Sequence, residues 1–493
     1  MLAIDTGTKL SDTDAMSDGQ SPSGISADDW AATPLAVGEL VLRLLQHIEQ
    51  LQQRVAELEE RLNQNSRNSS QPPSSDPAHA PLRPTRTPSG RKAGGQPGHA
   101  GQTRSLKPSD QVQRVVDLRP AQCGHCGTLL LGDDPQPQRH QVTEVPRIEP
   151  HVTEYRRHTL TCLACGTPTA AAWPDDMPTG DFGPRLQATV GYLSGRMGMS
   201  QRDITETLET LLHTEVSLGS IPTLETAVSE ALAQPVQAAQ AYVQDQPAAN
   251  VDETGWYERA NRAWLWVAAT PLVSVFLVLA TRGAQSARQL LGEAFPGIVG
   301  SDRWSAYNWL DPAHRQLCWA HLKRDFQKLV DRGGESKPLG EALLEHIAQI
   351  FRLWARVRDG TWSRLDFQTD IQPIRLGVHT LLEEGTRLAH TQTRRTCANL
   401  LKLEGALWTF VNVEGVEPTN NHAERCLRRA VLWRRRSCGT QSESGSRFVE
   451  RVLTTVTSLR QQKRDALDYL TEACAAANHD QAAPSLLPKL QIT

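Results

Sequence analysis

Apolar residues near the N-terminus form a seam with alternating spacings of four and three. The seam contains Val37, Val41, Leu44, Ile48, Leu51, Val55, Leu58 and Leu62. β-branched residues at the a positions with leucine at d are typical of a parallel two-stranded coiled coil. We therefore predict a coiled coil over residues 36–65 that makes the protein a homodimer or a higher oligomer; the alternative is an amphipathic helix packed on its own chain. Residues 1–35 are rich in Ser, Asp, Thr and Gly, which predicts disorder.

The next stretch loses this periodicity. Residues 66–110 consist mainly of Asn, Ser, Pro, Gly and basic residues, which predicts a flexible basic linker. A helical pattern returns over residues 177–246, where Ser200 and Asp203 have the spacing of a helix-capping box. Two short helices around a turn at His213–Val216 would form a helix-turn-helix that binds DNA. Plain helical packing is the alternative, because the second helix offers no Arg or Lys to read bases.

Beyond residue 246 the apolar pattern changes to that of strands. The predicted elements are the strands Ala249–Tyr257, Ala263–Thr270 and Ser274–Ala280, the helix Ala284–Ala294 and the strand Gly297–Gly300. This is the order at the start of a ribonuclease-H-like fold, in which the first and fourth strands are neighbours. We predict an α+β multidomain protein whose ribonuclease-H-like domain covers residues 247–335 and 411–445. A helical insertion would occupy residues 336–410, and a helical tail residues 446–493.

Composition limits the classes of protein to which this chain can belong. At 493 residues it is too long for a single core. It holds no apolar run of about eighteen residues, so we predict no membrane span. The N-terminus lacks the basic-then-apolar layout of a secretory signal, so we expect a cytoplasmic protein with reduced thiols.

Charge is unevenly distributed along the chain. The net charge is −3, but residues 81–107, which include Arg91 and Lys92, contain no acidic residue. Residues 425–451 carry eight arginines against two glutamates. A near-neutral average with two basic zones is typical of a protein that binds DNA at those places. For the first zone, solubilising surface charge is the alternative.

Four of the nine cysteines form two Cys-x-x-Cys pairs within residues 111–176. Cys123 and Cys126 form the first pair, Cys162 and Cys165 the second, and a glycine follows each pair. Four thiolates give the closed tetrahedral coordination of structural Zn²⁺, so we predict a zinc-binding module that contacts DNA together with the linker. Redox-active cysteines or histidine ligands are the alternatives. The candidate histidines are His125, His140 and His151.

Three carboxylates stand where this fold order would make them converge. Asp252 lies on the first predicted strand and Asp302 ends the fourth. Glu424 lies in the first turns of a helix that Asn420 is expected to cap. Converging carboxylates suit Mg²⁺ or Mn²⁺. Two such ions, about 3.5–4 Å apart, can activate an attacking oxygen and stabilise the leaving oxygen at one phosphate.

Several segments resemble those of one protein family. They are Asp-Glu-Thr-Gly-Trp at 252–256, Asn-Asn-x-Ala-Glu-Arg at 420–425, Leu-Trp-Arg at 432–434 and Gly-Thr-Gln-Ser-Glu at 439–443. In these segments the chain resembles bacterial insertion-sequence transposases, in particular the insertion-sequence-66 family. The resemblance implies a ribonuclease-H-like catalytic domain that cleaves DNA at the terminal inverted repeats of an element and transfers the 3′-hydroxyl ends into target DNA.

The resemblance also implies that Asp252, Asp302 and Glu424 are the metal ligands. The residues around Asp302 depart from the usual neighbours of the family's second aspartate. Its nearest rival, Asp311, precedes a proline in a loop-like stretch and fits a strand end less well. Glu253 adjoins the first aspartate but would point to the opposite face of the strand, so we leave it out.

Other residues near the motifs are candidates for supporting roles. Cys318 and His321 are similar to a Cys-x-x-His motif of Asp-Asp-Glu transposases, and would either bind zinc or support the active site. Asn421 is a second supporting candidate. Guanidinium forks match phosphate oxygens, which makes nearby arginines candidate DNA contacts. These are Arg324, Arg425, Arg428 and Arg429. For Arg428 the alternative is an ion pair with Glu424.

The sequence therefore predicts a transposase associated with bacterial DNA in the cytoplasm, with or without companion proteins of the same element. One alternative is a catalytically inactive DNA-binding regulator derived from a transposase, although the intact acidic triad argues against it. The other is a ribonuclease or junction nuclease of the same fold, to which the coiled coil and zinc module are poorly suited.

Overall fold

The structure is a computed structural model that describes residues 24–62, 104–174, 177–178 and 180–488. Most of the predicted linker, including Arg91 and Lys92, lies outside the described residues. So do residues 1–23 of the predicted disordered segment and residues 489–493 at the C-terminus. In the described ranges, no helix combines the length and apolar character needed to cross a membrane.

The first described elements are two helices. α1 covers Ala27–Ala31 and α2 covers Leu35–Leu62. The apolar seam lies on α2 and is open to solvent, since Leu44, Leu51 and Leu58 expose 52%, 61% and 43% of their surface. One chain of a coiled coil presents such a stripe to its partner. The coiled coil itself stays a prediction.

The segment with the paired cysteines is mostly irregular backbone. Its regular structure is an antiparallel hairpin of β1 (Thr159–Thr161) and β2 (Pro168–Ala170). No residue described between 104 and 174 is buried. A unit with so little apolar burial needs another source of stability, and small domains commonly obtain it from a disulfide or a metal ion.

Four helices precede the main sheet. They are α3 (Pro184–Tyr192), α4 (Gln201–Leu212), α5 (Ser220–Ala231) and α6 (Ala233–Gln244), with a π-helical turn at Leu193–Met197 between α3 and α4. The predicted capping box of Ser200 and Asp203 is confirmed at the start of α4. α5 buries Ile221, Leu224 and Val228, so its apolar face is used in packing. A helix-turn-helix function for this region stays a prediction.

Five strands form one mixed sheet. They are β3 (Ala248–Glu258), β4 (Asn261–Ala269), β5 (Ser274–Leu279), β6 (Ile298–Ser301) and β7 (Arg315–Leu317), with α7 (Ala284–Leu291) between β5 and β6. Across the sheet the order is β5, β4, β3, β6, β7. β3 pairs antiparallel with β4 and parallel with β6, which confirms that the first and fourth predicted strands are neighbours.

The rest of the described chain is almost entirely helical. Its helices are α8 (Trp319–Asp331), α9 (Ser336–Arg358), α10 (Arg364–Gly385), α11 (Thr391–Lys402), α12 (Glu404–Leu407), α13 (Thr409–Asn412), α14 (Asn421–Ser437), α15 (Glu443–Gln461) and α16 (Ala466–Asn478). α9 to α13 occupy the region of the predicted insertion. At their centre Trp354, Phe367 and Phe410 pack with ring centroids 5.3 to 5.8 Å apart.

Helices cover both faces of the sheet. Leu265 and Val267 of β4 pack with residues of α14 and α15, whereas Trp266 and Ala268 face α7 and the helices before the sheet. α15 contributes Val449 to the first of these cores. The boundary predicted for a separate C-terminal tail falls inside α15, so the structure differs there: this helix belongs to the core of the sheet domain.

Candidate active site

The pairing of β3 with β6 brings the first two candidate aspartates close together. Asn250 pairs with Gly300, so the parallel pairing ends two residues before Asp252 and Asp302. The charge of Asp302 raises the pKa of Asp252, which burial already raises, so the two carboxylates lie close together. A Cβ at position 300 would lie 2.5 Å from the Oδ1 of Asn250, so a larger residue there would displace the Asn250 side chain. The backbone N–H of Trp304 donates to the Oδ1 of Asp302 at 2.9 Å, which orients that carboxylate.

The third candidate carboxylate, Glu424, lies in the first turn of α14. Its Oε1 is 3.5 Å from the Nε2 of His321. Asn420 occupies the N-cap position of α14, as predicted, but its side chain makes no capping hydrogen bond. The Asn420 amide instead donates to the Val251 carbonyl at 3.0 Å. Because Val251 adjoins Asp252, this hydrogen bond ties the start of α14 to the strand that carries the first aspartate.

Further contacts join α14 and the segment after it to β3. Arg434 donates to the hydroxyl of Thr254 at 2.8 Å and to the Gly255 carbonyl at 2.6 Å. The indole of Trp256 donates to the Thr440 hydroxyl at 3.2 Å. Motif segments that lie far apart in the sequence therefore pack together beside the carboxylates.

The candidate carboxylates repel one another. Burial raises the pKa of Asp252 well above its ordinary value, and the charges of Glu253, Asp302 and Glu424 raise it further. A bound cation would offset this repulsion. Within the described ranges, no three His, Cys, Asp or Glu side chains are gathered closely enough to hold a metal ion. The donors are all carboxylate oxygens, which is the chemistry that Mg²⁺ and Mn²⁺ prefer.

Glu253 lies on the opposite face of β3 from Asp252 and belongs to a buried network. It accepts hydrogen bonds from the Tyr307 hydroxyl and from the Nε of Arg282, both at 2.6 Å. Arg282 also approaches the Oδ2 of Asp302 at 3.9 Å. Burial raises the pKa of Tyr307, so its phenol keeps the proton that it donates. No local sequence pattern indicates this network, because its members come together only through the fold.

Cys318 and His321 lie at the start of α8, where His321 faces the candidate carboxylate Glu424. Cys318 is buried, burial raises the pKa of its thiol to about 11, and its N–H donates to the Ser301 carbonyl at 2.9 Å. Burial and the charge of Arg324 lower the pKa of His321, while the charge of Glu424 raises it. The Nδ1 of His321 is buried without a partner among the described residues. These contacts favour a supporting role over a zinc site.

Two other candidates occupy different environments. Asp311 caps a short 3-10 turn, where its Oδ1 accepts a hydrogen bond from the Ala313 N–H at 2.8 Å. Asn421 is exposed at the first position of α14, whereas its neighbour Asn420 is buried and contacts β3. Asn420 is thus the residue of this pair that contacts the strand of Asp252.

Comparison with known proteins agrees with the motif segments. A family model described as Transposase IS66 family matches residues 179–447, more than half of the chain. The chain belongs to this family. A second model, of a family of unknown function (DUF6444), matches residues 30–105, which include α2. A Sinorhizobium fredii protein described as uncharacterized protein y4qI is 27% identical over 242 residues, and the match covers 43% of each chain.

The cysteine pairs of this IS66-family chain form two matching turns. In the first, the Cys123 N–H donates to the Thr128 carbonyl at 2.8 Å and the Gly127 N–H to the Cys123 carbonyl at 2.9 Å. The turn at Cys162 repeats both bonds, at 2.9 and 2.8 Å. Gly127 and Gly166 have φ angles of 75° and 70°, which glycine adopts without strain. Within the described ranges the two turns are not gathered into one metal-binding group.

Arginines line the exposed side of α14. Arg425, Arg428 and Arg429 are exposed, and none of them makes a hydrogen bond or ion pair with another described residue. The ion pair of Arg428 with Glu424, considered as an alternative, is therefore absent from the described structure. Unpaired guanidinium groups next to the carboxylates are available to an anionic ligand.

Proposed function

We propose that this IS66-family chain binds the ends of its element, cleaves the DNA there and joins the 3′ ends to target DNA. Its catalytic domain would be ribonuclease-H-like, with Asp252, Asp302 and Glu424 as ligands of two Mg²⁺ or Mn²⁺ ions. The main support is the parallel pairing of β3 with β6, which ends two residues before the two aspartates, together with the effect of the Asp302 charge on the buried Asp252. The hydrogen bond from Asn420, which draws the helix of Glu424 onto the same strand, adds to it.

In this proposal the side chains supply position and charge. When bound, two divalent ions activate the attacking water or 3′ hydroxyl and stabilise the oxygen that leaves the phosphate. Their positive charge would favour the ionised form of Asp252, whose pKa is raised by burial and then by its three acidic neighbours. His321 orients Glu424 from α8, and Arg282 holds Asp302 from the side of the buried network.

A nicking assay tests this function. The full-length protein is incubated with Mg²⁺ and a supercoiled plasmid that carries both ends of the element and its flanking DNA. We expect nicking by the wild type and its loss in Asp252→Ala and Asp302→Ala. Asp311→Ala is the matched control and should keep wild-type activity, because Asp311 caps a turn. Loss of activity in Asp311→Ala with retention in Asp302→Ala would reassign the second ligand.

A catalytically inactive DNA-binding regulator is the second candidate. One observation favours it: the described side chains are not gathered into a three-ligand metal group. A wild type that binds element-end DNA but never nicks it with Mg²⁺ or Mn²⁺ would establish this function. The remaining alternative is a ribonuclease or junction nuclease of the same fold. Preferential cleavage of RNA–DNA hybrids or four-way junctions in the same assay would identify it.

We also propose that Cys123, Cys126, Cys162 and Cys165 hold one structural Zn²⁺, and that this module and the basic linker contact the element ends. The pKa of the Cys126 thiol is lowered to about 7, mainly by its hydrogen bond with the Thr128 hydroxyl. A lowered thiol pKa favours the thiolate that zinc binds. α2 would pair with α2 of a second copy, and companion proteins of the same element would act on the assembled complex.

A further inference from the structure

A cavity of about 270 Å³ lies between α14 and α15 and is lined by arginines from three elements. Arg196 comes from the π-helical turn, Arg425 and Arg429 come from α14, and Arg460 comes from the end of α15. We refer to these four residues as the arginine pocket. Glu424 is absent from its lining, so the pocket is distinct from the candidate active site.

The guanidinium groups of the arginine pocket are unpaired. None of the four side chains makes a hydrogen bond, an ion pair or a ring contact with another described residue. The Nε of Arg196 is buried and has no hydrogen-bond partner in the part of the chain that the structure describes. Burial lowers the pKa of Arg196, and the positive charges of Arg429 and Arg460 lower it further. Positive charges that face one another without a carboxylate favour a bound anion, and guanidinium groups are suited to phosphate.

The arginines of α14 lead from the carboxylates to this pocket. At 100° per residue, Arg428 lies roughly 40° round the helix from Glu424, Arg425 about 100° and Arg429 about 140°. All three arginines are exposed. A strand of DNA that leaves the carboxylates and crosses α14 would therefore meet one guanidinium after another before it reaches Arg460.

We infer that the arginine pocket binds a backbone phosphate of the same DNA whose scissile phosphate lies at the carboxylates, on the other side of α14. The inference rests on the proposed function. The lining contains no Trp, Tyr or Phe on which a base could stack, and its one imidazole, that of His422, contacts the Thr270 carbonyl and Gln461, which itself donates to Thr270. The pocket is therefore suited to a phosphate rather than to a nucleobase.

The first test measures DNA binding in EDTA, so that cleavage does not contribute. The probe is a fluorescent random-sequence duplex, and its affinity for the full-length protein is measured over a series of KCl concentrations. Arg196→Gln with Arg460→Gln should weaken binding about tenfold and reduce the slope of log affinity against log salt by about one. Arg460→Gln alone, at an exposed position, should show a smaller change of the same kind.

A charge-matched control keeps the net charge of the double variant. Arg352 and Arg395 are exposed on α9 and α11 and have no partner among the described residues. Replacing both with Gln should leave the affinity and the salt slope close to those of the wild type. An equal loss in the control and in the pocket variant would show a general charge effect and would overturn the inference.

Chemical protection locates the contact. Phenylglyoxal modifies accessible arginines, and mass spectrometry reports each modified position. Bound duplex should protect Arg425, Arg429 and Arg460 and leave Arg352 and Arg395 reactive. Unchanged modification of Arg460 at saturating duplex would overturn the inference.

A further experiment distinguishes DNA from a small anion as the ligand of the arginine pocket. If pyrophosphate raises the melting temperature of the wild type but not of the pocket variant, and DNA binding is equal in both, the pocket is a site for small polyanions and the inference fails. The nicking assay stands apart from these measurements. A wild type that never nicks DNA but loses affinity in the pocket variant would refute the proposed catalysis and leave this phosphate contact standing.

Discussion

The adjacent carboxylates Asp252 and Glu253 differ in the number of hydrogen bonds that their side chains accept. The side chain of Glu253 is satisfied by Arg282 and the Tyr307 hydroxyl. The carboxylate of Asp252 accepts one hydrogen bond, from the N–H of Glu253, among the bonds described. Strand alternation separates them, because successive side chains point to opposite faces. Glu253 thus uses both carboxylate oxygens within the described fold, whereas Asp252 has one oxygen without a described hydrogen bond that a cation could bind.

Removing the Tyr307 hydroxyl from this network should lower the free energy of unfolding. Tyr307→Phe deletes the hydroxyl that donates to Glu253 at 2.6 Å. We expect the free energy of unfolding to fall by about 1.5–3 kcal/mol, the usual contribution of a hydrogen bond to a charged group. Urea denaturation measures it. Tyr257→Phe is the control, because Tyr257 exposes 49% of its surface, and should change stability by less than about 0.5 kcal/mol. Equal effects of the two substitutions would contradict this account.

Glu450 predicts a dependence of stability on pH. It is buried in α15, accepts a hydrogen bond from the Val278 N–H and pairs with Arg447, and burial raises its pKa from 4.5 to about 7. Between these values the folded state keeps a proton that the unfolded state has released. The stability contributed by this proton is therefore complete below pH 4.5 and is lost as the pH rises through about 7.

The comparison of wild type with Glu450→Gln isolates this effect. The variant keeps an oxygen that can accept from Val278 and has no proton to lose. From pH 4.5 to about 7 the stability of the wild type should fall relative to the variant by up to about 3 kcal/mol. Denaturant midpoints measured across this pH range provide the check. Parallel pH profiles for the two proteins would rule the explanation out.

At the scale of elements, the sequence predicted the regular parts of the fold and missed the irregular ones. β3, β4 and β5 were predictable because their residues are suited to strands and turns separate them. β7 was not, since it is three residues long and two of these, Arg315 and Gln316, are polar although buried. The contact of Asn420 with Val251 could not be predicted from the sequence either, because it depends on how α14 packs against β3.

The paired cysteine turns predict one zinc ion per chain. Purified protein should contain about one equivalent of zinc, released when a chelator is added under denaturing conditions. Cys126→Ser and Cys165→Ser should each lower the zinc content well below that of the wild type. Cys438→Ser, at an exposed cysteine outside the module, should leave it unchanged. Protein free of zinc, or zinc retained in both module variants, would refute the site.

At the scale of the whole molecule, charge and packing were predicted with unequal success. The basic zone after Glu424 was visible in the sequence, and the structure places its first arginines on one exposed side of α14. The pocket was not visible, because Arg196 and Arg460 come from elements that only the fold brings beside this helix. The same holds for α15, whose Val449 joins the sheet core. Local patterns show that such a helix has an apolar face but not what covers it.

The exposed apolar seam on α2 predicts that the protein assembles through this helix. Leu51 and Leu58 occupy d positions of the heptad and expose 61% and 43% of their surface in the single chain. A second copy of the same helix would cover them, since β-branched residues at a with leucine at d select a parallel pair. We therefore expect the wild type to have at least the mass of a dimer by light scattering.

Charge at the d positions should separate the copies, because an unpaired charge in an apolar seam is costly to bury. Leu51→Glu with Leu58→Glu should reduce the measured mass to that of the monomer. Gln46→Glu with Gln53→Glu adds the same two charges at f positions on the outside of the predicted coil, and should leave the mass unchanged. A monomeric wild type, or a double leucine variant that keeps the wild-type mass, would show that another part of the chain covers this helix.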